Sequence, residues 1–279
     1  MKRIAEAAKV SRSQLMARTG SKPSLRASRY IKAEDEALLP LILGLLGERQ
    51  TYGYRRMCAM LNRQLEVQGR PRVNHKRVYR IMRQNNLLLT RHTGAPKRPH
   101  TGKVATVVSN TRWCSDGFEF GCDNGQRVRV VFALDSCDRE VIAHAATTGG
   151  ISGSLVQDLM LECVEKRFGA LRAPHSVEWL SDNGSCYTAC ETRGFAVQLN
   201  LAPCFTPVRS PESNGLAESF VKTFKRDYVY THELSDAQTV MGSLADWFED
   251  YNEIAPHKAL RMLSPREFIR ASETSMCPV

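Results

Sequence analysis

The sequence predicts an α/β fold: a mixed five-stranded sheet flanked by helices, preceded by an all-α region of helix-turn-helix type. Three observations predict it. Apolar residues recur at helical spacing through the first hundred residues. From about Thr111 the pattern changes to short strands separated by turns. The order β-β-β-α-β-α-β-α then joins an antiparallel meander to strands linked through helices.

The elements follow in order. Ile4 to Met16 reads as the last two helices of a helix-turn-helix, with Ser11 placed to cap the second. The helix that should precede them is absent, as expected of a reading frame that starts inside a longer product. Ser21 to Arg29 reads as a linker. A helix is predicted from about Glu34 to Gly47, and Tyr52-Gly53-Tyr54-Arg55-Arg56 opens a second with Met57, Met60 and Leu61 on its apolar side. A third starts near Asn74, a plausible cap. In it Val78, Ile81 and Met82 form a core face while Lys76, Arg77, Arg80 and Arg83 point elsewhere. Thr90 to Gly102 is a linker rich in Gly, Pro, Arg and Lys.

Three strands come next: Trp113–Gly121, Val128–Leu134 and Val141–Ala146. Asp123-Asn124-Gly125 turns the first into the second. Ser152–Phe168 is a helix whose expected apolar members are Leu155, Leu159, Leu161 and Val164. Val177–Leu180 is a strand, Tyr187–Val197 a helix, Leu199–Cys204 a strand, and a long helix starts near Asn214. The expected domains are 1–29, a partial helix-turn-helix and linker; 30–90, a helical DNA-binding domain; 91–108, a basic linker; 109–230, the catalytic core; and 231–279, a C-terminal helix and tail.

Charge separates the two halves. Residues 1–105 hold 23 Lys+Arg against 6 Asp+Glu, a balance of +17, and residues 106–279 hold 16 against 23, a balance of −7. So basic an N-terminal part, on helices with apolar faces, points to a polyanion partner. The candidate DNA contacts are Arg55, Arg56, Lys76, Arg77, Arg80, Arg83, Lys222 and Lys225. No run is long and apolar enough for a transmembrane helix, and no signal peptide follows Met1, so the expected location is the cytoplasm. Nine scattered cysteines without a Cys-x-x-Cys pair imply neither disulfides nor zinc.

Three carboxylates carry the chemistry. Asp116 lies mid-strand in the first strand. Asp182 ends the run Trp179-Leu180-Ser181 before Asn183-Gly184. Glu218 lies in a helix with Asn214, Lys222 and Lys225 on the same side, while Leu216, Phe220 and Phe224 form its core side. Alone, Glu218 with Lys222 would be an ordinary helix ion pair. The upstream Asp182 and the strand context of both aspartates make metal ligation the better reading. Carboxylates on separate elements can converge on two Mg²⁺ ions, with Mn²⁺ as a substitute, for phosphoryl transfer. All three should be ionised. Asp135 with Arg139 reads as a turn with a local ion pair, Glu212 as a loop residue, Trp113, Trp179 and Trp247 as core, and His257 as structural.

The set Trp113-x-x-Asp116, Ser181-Asp182-Asn183-Gly184 and Ser210-Pro211 with Asn214-Gly215-x-x-Glu218 resembles the catalytic core of the retroviral-integrase superfamily. The 35 residues between Asp182 and Glu218 match that superfamily's motif. Tyr251-Asn252, Pro256-His257-x-Ala259-Leu260 and Ser264-Pro265 resemble the C-terminal motif of its bacterial insertion-sequence branch. Tyr52 to Arg56 and Asn74 to Met82 resemble the helical DNA-binding domain that precedes the core. Gly117 and Ala255 depart from the common pattern.

The resemblance implies a ribonuclease-H-like fold and a DDE transposase of the second-frame type. Such an enzyme hydrolyses a strand at the element end and joins the 3′-hydroxyl to another phosphodiester, with Asp116, Asp182 and Glu218 as ligands of two ions. It further implies double-stranded DNA partners (terminal inverted repeats and target), a homo-oligomer on DNA, fusion to an upstream-frame product, and association with the bacterial nucleoid. The alternatives are a nuclease of the same fold without strand transfer, or a DNA-binding transposition regulator.

Overall fold

The structure is a computed structural model describing residues 33–90, 106–206 and 215–276. The expected helix-turn-helix at Ile4–Met16, the linker at Ser21–Arg29, most of the basic linker and the Ser210–Asn214 motif, with Glu212, lie outside those residues.

A 3₁₀ turn at Ala33–Asp35 precedes α1 (Leu39–Glu48). The helix therefore starts five residues later than the pattern suggested. Pro40 stands in its opening turn, where a missing N–H costs nothing. Helix α2 (Tyr54–Val67) buries Met57, Cys58, Leu61 and Leu65, and α3 (His75–Gln84) buries Val78, Ile81 and Met82. The Asn74 side chain accepts the Lys76 N–H and caps α3. These faces, with Leu38, Ile42, Leu45 and Tyr52, close one three-helix core.

Strands β1 (Arg112–Gly121), β2 (Arg127–Asp135) and β3 (Val141–Thr147) form the meander. Gly125, at φ 85°, closes its first turn as an Asn-Gly pair allows. The second turn differs from expectation. Asp135 makes no local pair with Arg139. Its carboxylate accepts N–H groups from Asn110, Cys137 and Asp138, while Asp138 takes the guanidinium of Arg167 at 3.0 Å. Backbone donors close at hand displaced the sequence-local cation.

Helix α4 (Gly153–Phe168), capped by Ser152, leads to β4 (Val177–Ser181), short helices α5 (Ser185–Thr188) and α6 (Cys190–Gln198), and β5 (Leu201–Phe205). The inward stripe of α4 is Val156, Leu159, Met160, Cys163 and Val164, whereas Leu155 and Leu161 are only partly covered. The single helix expected over Tyr187–Val197 is broken at Ala189, whose backbone is extended. Thr188 ends the first turn by donating its hydroxyl to the Gly184 carbonyl. The strand order is β3-β2-β1-β4-β5. Strands β1 to β3 are antiparallel neighbours, and β1, β4 and β5 are parallel.

One face of the sheet carries α4 and α6 around Trp113 and Trp179. The other carries α7 (Gly215–Asp227) and α8 (Ala237–Glu253), with Phe118, Phe132, Phe220, Phe224, Phe248 and Tyr251 interlocked. Helix α8 covers the sheet directly. Buried Asn252 explains the Tyr-Asn motif: it accepts the Val141 N–H and donates to the Val141 carbonyl, both at 2.9 Å. Ser264 and Glu267 form a reciprocal cap at the start of α9 (Pro265–Met276).

A seam of ion pairs joins the helical region to the rest. Arg49 forks onto Asp250, Arg56 reaches Asp227 at 2.6 Å, and Arg63 pairs with Glu267. Thr51 adds a hydroxyl to Asp227 at 2.6 Å, and the Arg56 guanidinium lies 3.4 Å from the Tyr52 ring centroid.

Candidate active site

Side chains alternate across a strand, so Cys114, Asp116 and Phe118 share the face that carries α7 and α8. The parallel pairing of β1 with β4 ends at Cys114 and Leu180, and Asp182 follows just past the end of β4, near enough for its charge to act on Asp116. Leu180 packs on the same face. Helix α7 supplies the third group. Its Phe220 lies 4.4 Å, ring to ring, from Phe132, the cross-strand partner of Asp116, which brings the first turn and Glu218 over the same face.

The local sequence explains each position. Ser115 points the other way and is buried, donating to the Phe132 carbonyl at 2.9 Å and bonding the Tyr187 hydroxyl at 2.8 Å. That fixes the strand's rotation and hence the direction of Asp116. A Cβ at Gly117 would meet the tip of Ile151 at 2.7 Å, which gives the departure at this position a packing reason. After β4, Asn183 donates to the Thr206 carbonyl at 2.8 Å, tying the ends of β4 and β5, and Gly184 donates its N–H to Asp182 at 3.0 Å.

Asp116 is half-buried, whereas Asp182 and Glu218 are exposed. Burial pushes the Asp116 carboxyl up to about 6, and the Asp182 and Glu218 carboxylates push the same way against the Gly117 N–H, which donates at 2.8 Å. At neutral pH Asp116 is still mainly ionised, but it gains its proton at a higher pH than an ordinary aspartate. The groups lie within electrostatic reach of one another. Among the described residues no three His, Cys, Asp or Glu side chains stand close enough to share an ion. The expected convergence is thus open rather than closed. The donor set still fits divalent cations: three hard-oxygen ligands, mutually repelling, with no Lys or Arg paired to any of them among the described residues.

The predicted basic residues divide in two. Arg56 is held by Asp227, and Arg77 and Arg80 grip Asp35 at 2.7 and 2.5 Å. Lys225 donates to the Glu119 carbonyl at 2.7 Å over the Phe118 ring. Arg55, Lys76, Arg83 and Lys222 are exposed, Arg55 lying against Tyr54. No local pattern marks the first group's partners, which lie far along the chain. His257 is structural: its backbone N–H and carbonyl bond Leu263 and Met262, and its ring meets Tyr251 edge-on.

Comparison with known proteins places this arrangement. Family models described as Integrase core domain match residues 108–211 and 200–265, and an HTH-like domain model matches residues 33–93. Transposase InsD for insertion element IS2A/D/F/H/I/K of Escherichia coli is 55% identical over 272 residues, covering 96% of this chain and 90% of that protein. InsD for insertion element IS2D of Escherichia coli strain K12 matches equally. A chain in the simian T-cell lymphotropic virus intasome structure superposes with a TM-score of 0.50 over 74% of this chain and 69% of that one, at 16% identity, a likeness of fold alone.

Sheet, flanking helices and matched domains define a ribonuclease-H-like integrase core behind an HTH-like region, a polynucleotidyl transferase class whose catalytic domains depend on metal. Within that class the chain belongs to the InsD family of insertion-element transposases. DNA is accordingly its partner, and among the described residues no helix is long and apolar enough to cross a membrane.

Proposed function

We propose that Asp116, Asp182 and Glu218 are the catalytic carboxylates, holding two Mg²⁺ ions between the β1 and β4 strands and the first turn of α7. The observation that supports this is the parallel pairing of β1 with β4, with Asp116 two residues beyond its last pair and Asp182 just past the end of β4, where both Asp182 and Glu218 act electrostatically on Asp116. Bound there, the cations supply activation of the attacking oxygen and stabilisation of the leaving oxygen. The chain's own residues orient the ligands. Ser115 and Tyr187 fix the strand, Asn183 fixes the β4 loop, and Gly184 steadies the Asp182 carboxylate. The reaction is strand cleavage at the element end, then attack of the freed 3′-hydroxyl on a target phosphodiester.

The exposed Arg55, Lys76 and Arg83 of residues 30–90 and Lys222 beside Glu218 contact DNA phosphates, with 91–108 as the basic linker, 109–230 as the core and 231–279 packed behind it. The assembly is two protomers bridging two ends, in the bacterial cytoplasm and on the nucleoid, with the chain fused to an upstream-frame product.

The test is strand transfer of a pre-cut element end into plasmid DNA. Asp182→Asn should abolish both cleavage and transfer while changing end binding less than threefold. Equal loss of binding and cleavage would remove the assigned role.

A further inference from the structure

A cleft of about 580 Å³ lies where α2 and the start of α3 face the tight turn Arg261–Leu263. Its walls come from both ends of the chain. Arg55, Arg72 and His75 enter from the helical region, and Arg261 from the C-terminal turn. Arg63 and Glu267 neutralise each other across it, leaving Glu66 as the one wall carboxylate without a partner. Among the described residues Arg55, Arg72 and Arg261 are exposed and have no carboxylate partner, whereas Arg49, Arg56, Arg63, Arg77, Arg266 and Arg270 each have one. Arg70, Arg83, Arg172 and Arg193 are likewise exposed without a carboxylate partner among the described residues, but only Arg55, Arg72 and Arg261 of this group line one concavity.

Arg261 has φ 57° and ψ 33°, the left-handed region that favours glycine. Met262 follows at φ 69°. Glycine would suit this backbone, so Arg261→Gly removes the guanidinium without straining the turn.

We propose that this cleft grips a stretch of DNA phosphodiester backbone between the helical region and the C-terminal turn, with Arg72 and Arg261 as phosphate contacts alongside Arg55. The inference rests on the transposase reading and extends it. The ligand is a continuous polyanion, because the cations lie along a groove open to solvent and fork-shaped guanidinium groups suit phosphate oxygens. Contacts of this kind position the duplex without reading its bases. The turn lies near the end of the region matched as Integrase core domain, so the grip would fix the angle at which bound DNA passes from the helical region to the core.

The test uses the full chain and two labelled duplexes of equal length, one bearing the element's terminal sequence and one scrambled, titrated over a range of salt. Arg72→Ala and Arg261→Gly should each weaken binding to both duplexes about three- to tenfold and lower the slope of log K against log salt by about 0.9. Arg261→Lys should restore most of the loss. Arg261→Gly suits the backbone, so its Tm should match or exceed that of the wild type, which separates lost contact from lost fold. Unchanged affinity and slope in both variants would overturn the cleft assignment, as would a loss confined to the terminal sequence. A wild-type chain that binds neither duplex would instead overturn the transposase reading.

Discussion

A half-buried aspartate faced by two further carboxylates is a destabilising group when nothing positive is nearby. Asp116 is pushed up from the ordinary 3.8 to about 6, first by burial and then by Asp182 and Glu218. Between those two values the folded chain holds a proton that the unfolded chain releases. Stability from this group is therefore present below about pH 4 and lost as pH rises through 6. At pH 7 the cost is on the order of 2 kcal/mol after allowing for partial exposure. Asp116→Asn should accordingly melt higher than the wild type in EDTA at pH 7, with the difference vanishing near pH 4. Mg²⁺ should raise the wild-type Tm and leave the variant's alone. A variant less stable than wild type in EDTA would contradict this account. Residue-level chemistry of this sort was legible in sequence only up to identity. The strand-then-turn context marked Asp116 and Asp182, and helical phase marked Glu218. The charge state of Asp116 was not visible, because it depends on neighbours supplied by other elements.

At the scale of the element, the joint between β3 and α8 is the most exacting contact on the sheet. Asn252 satisfies both backbone groups of Val141 across a sequence separation of 111 residues. Val141 pairs with Leu134 of β2 on one side, and β3 is the edge strand, so Asn252 serves its open side. Asn252→Ala leaves a buried N–H and a buried carbonyl without partners and should cost about 2–4 kcal/mol in urea denaturation. A cost below about 0.5 kcal/mol would mean that Val141 finds other partners. Periodicity and turn residues located every strand and the helices up to α7, whereas α8 and α9 were covered only by a single C-terminal helix expected within 231–279. The misses had local causes: Pro40 delayed α1, and an extended Ala189 split one helix in two. The inward stripe of α4 was misjudged because apolar residues surround that helix, so phase alone could not choose the buried side.

On the scale of the whole molecule, two hydrophobic bodies are held together by charge. The helical core and the sheet core are separate clusters, and the seam between them runs through Arg49, Arg56 and Arg63. Asp227 is nearly inaccessible, with 1% of its side chain exposed, and its carboxyl is held below the usual range by Arg226, Arg56 and Thr51 against the opposing effect of burial. Removing one member of so enclosed a pair leaves the other uncompensated. Asp227→Ala combined with Glu267→Ala should split calorimetric melting into two transitions, the helical region first, where the wild type gives one. Persistence of a single transition would show that the seam does not couple the two cores.

By itself the sequence determined the fold class and the order of the elements through α7, and singled out the three carboxylates proposed as ligands. Those follow from signals a few residues long: alternation, helical spacing, turn residues and caps. Only the tertiary structure decided which cations stay available to DNA, which acid has its proton affinity raised, and how the helical region seats on the core. Arg56 meets its carboxylate 171 residues away, and Arg77 and Arg80 meet theirs 42 and 45 residues away. No local pattern encodes a partner at that distance, because Coulomb attraction and desolvation depend on separation in space and not along the chain.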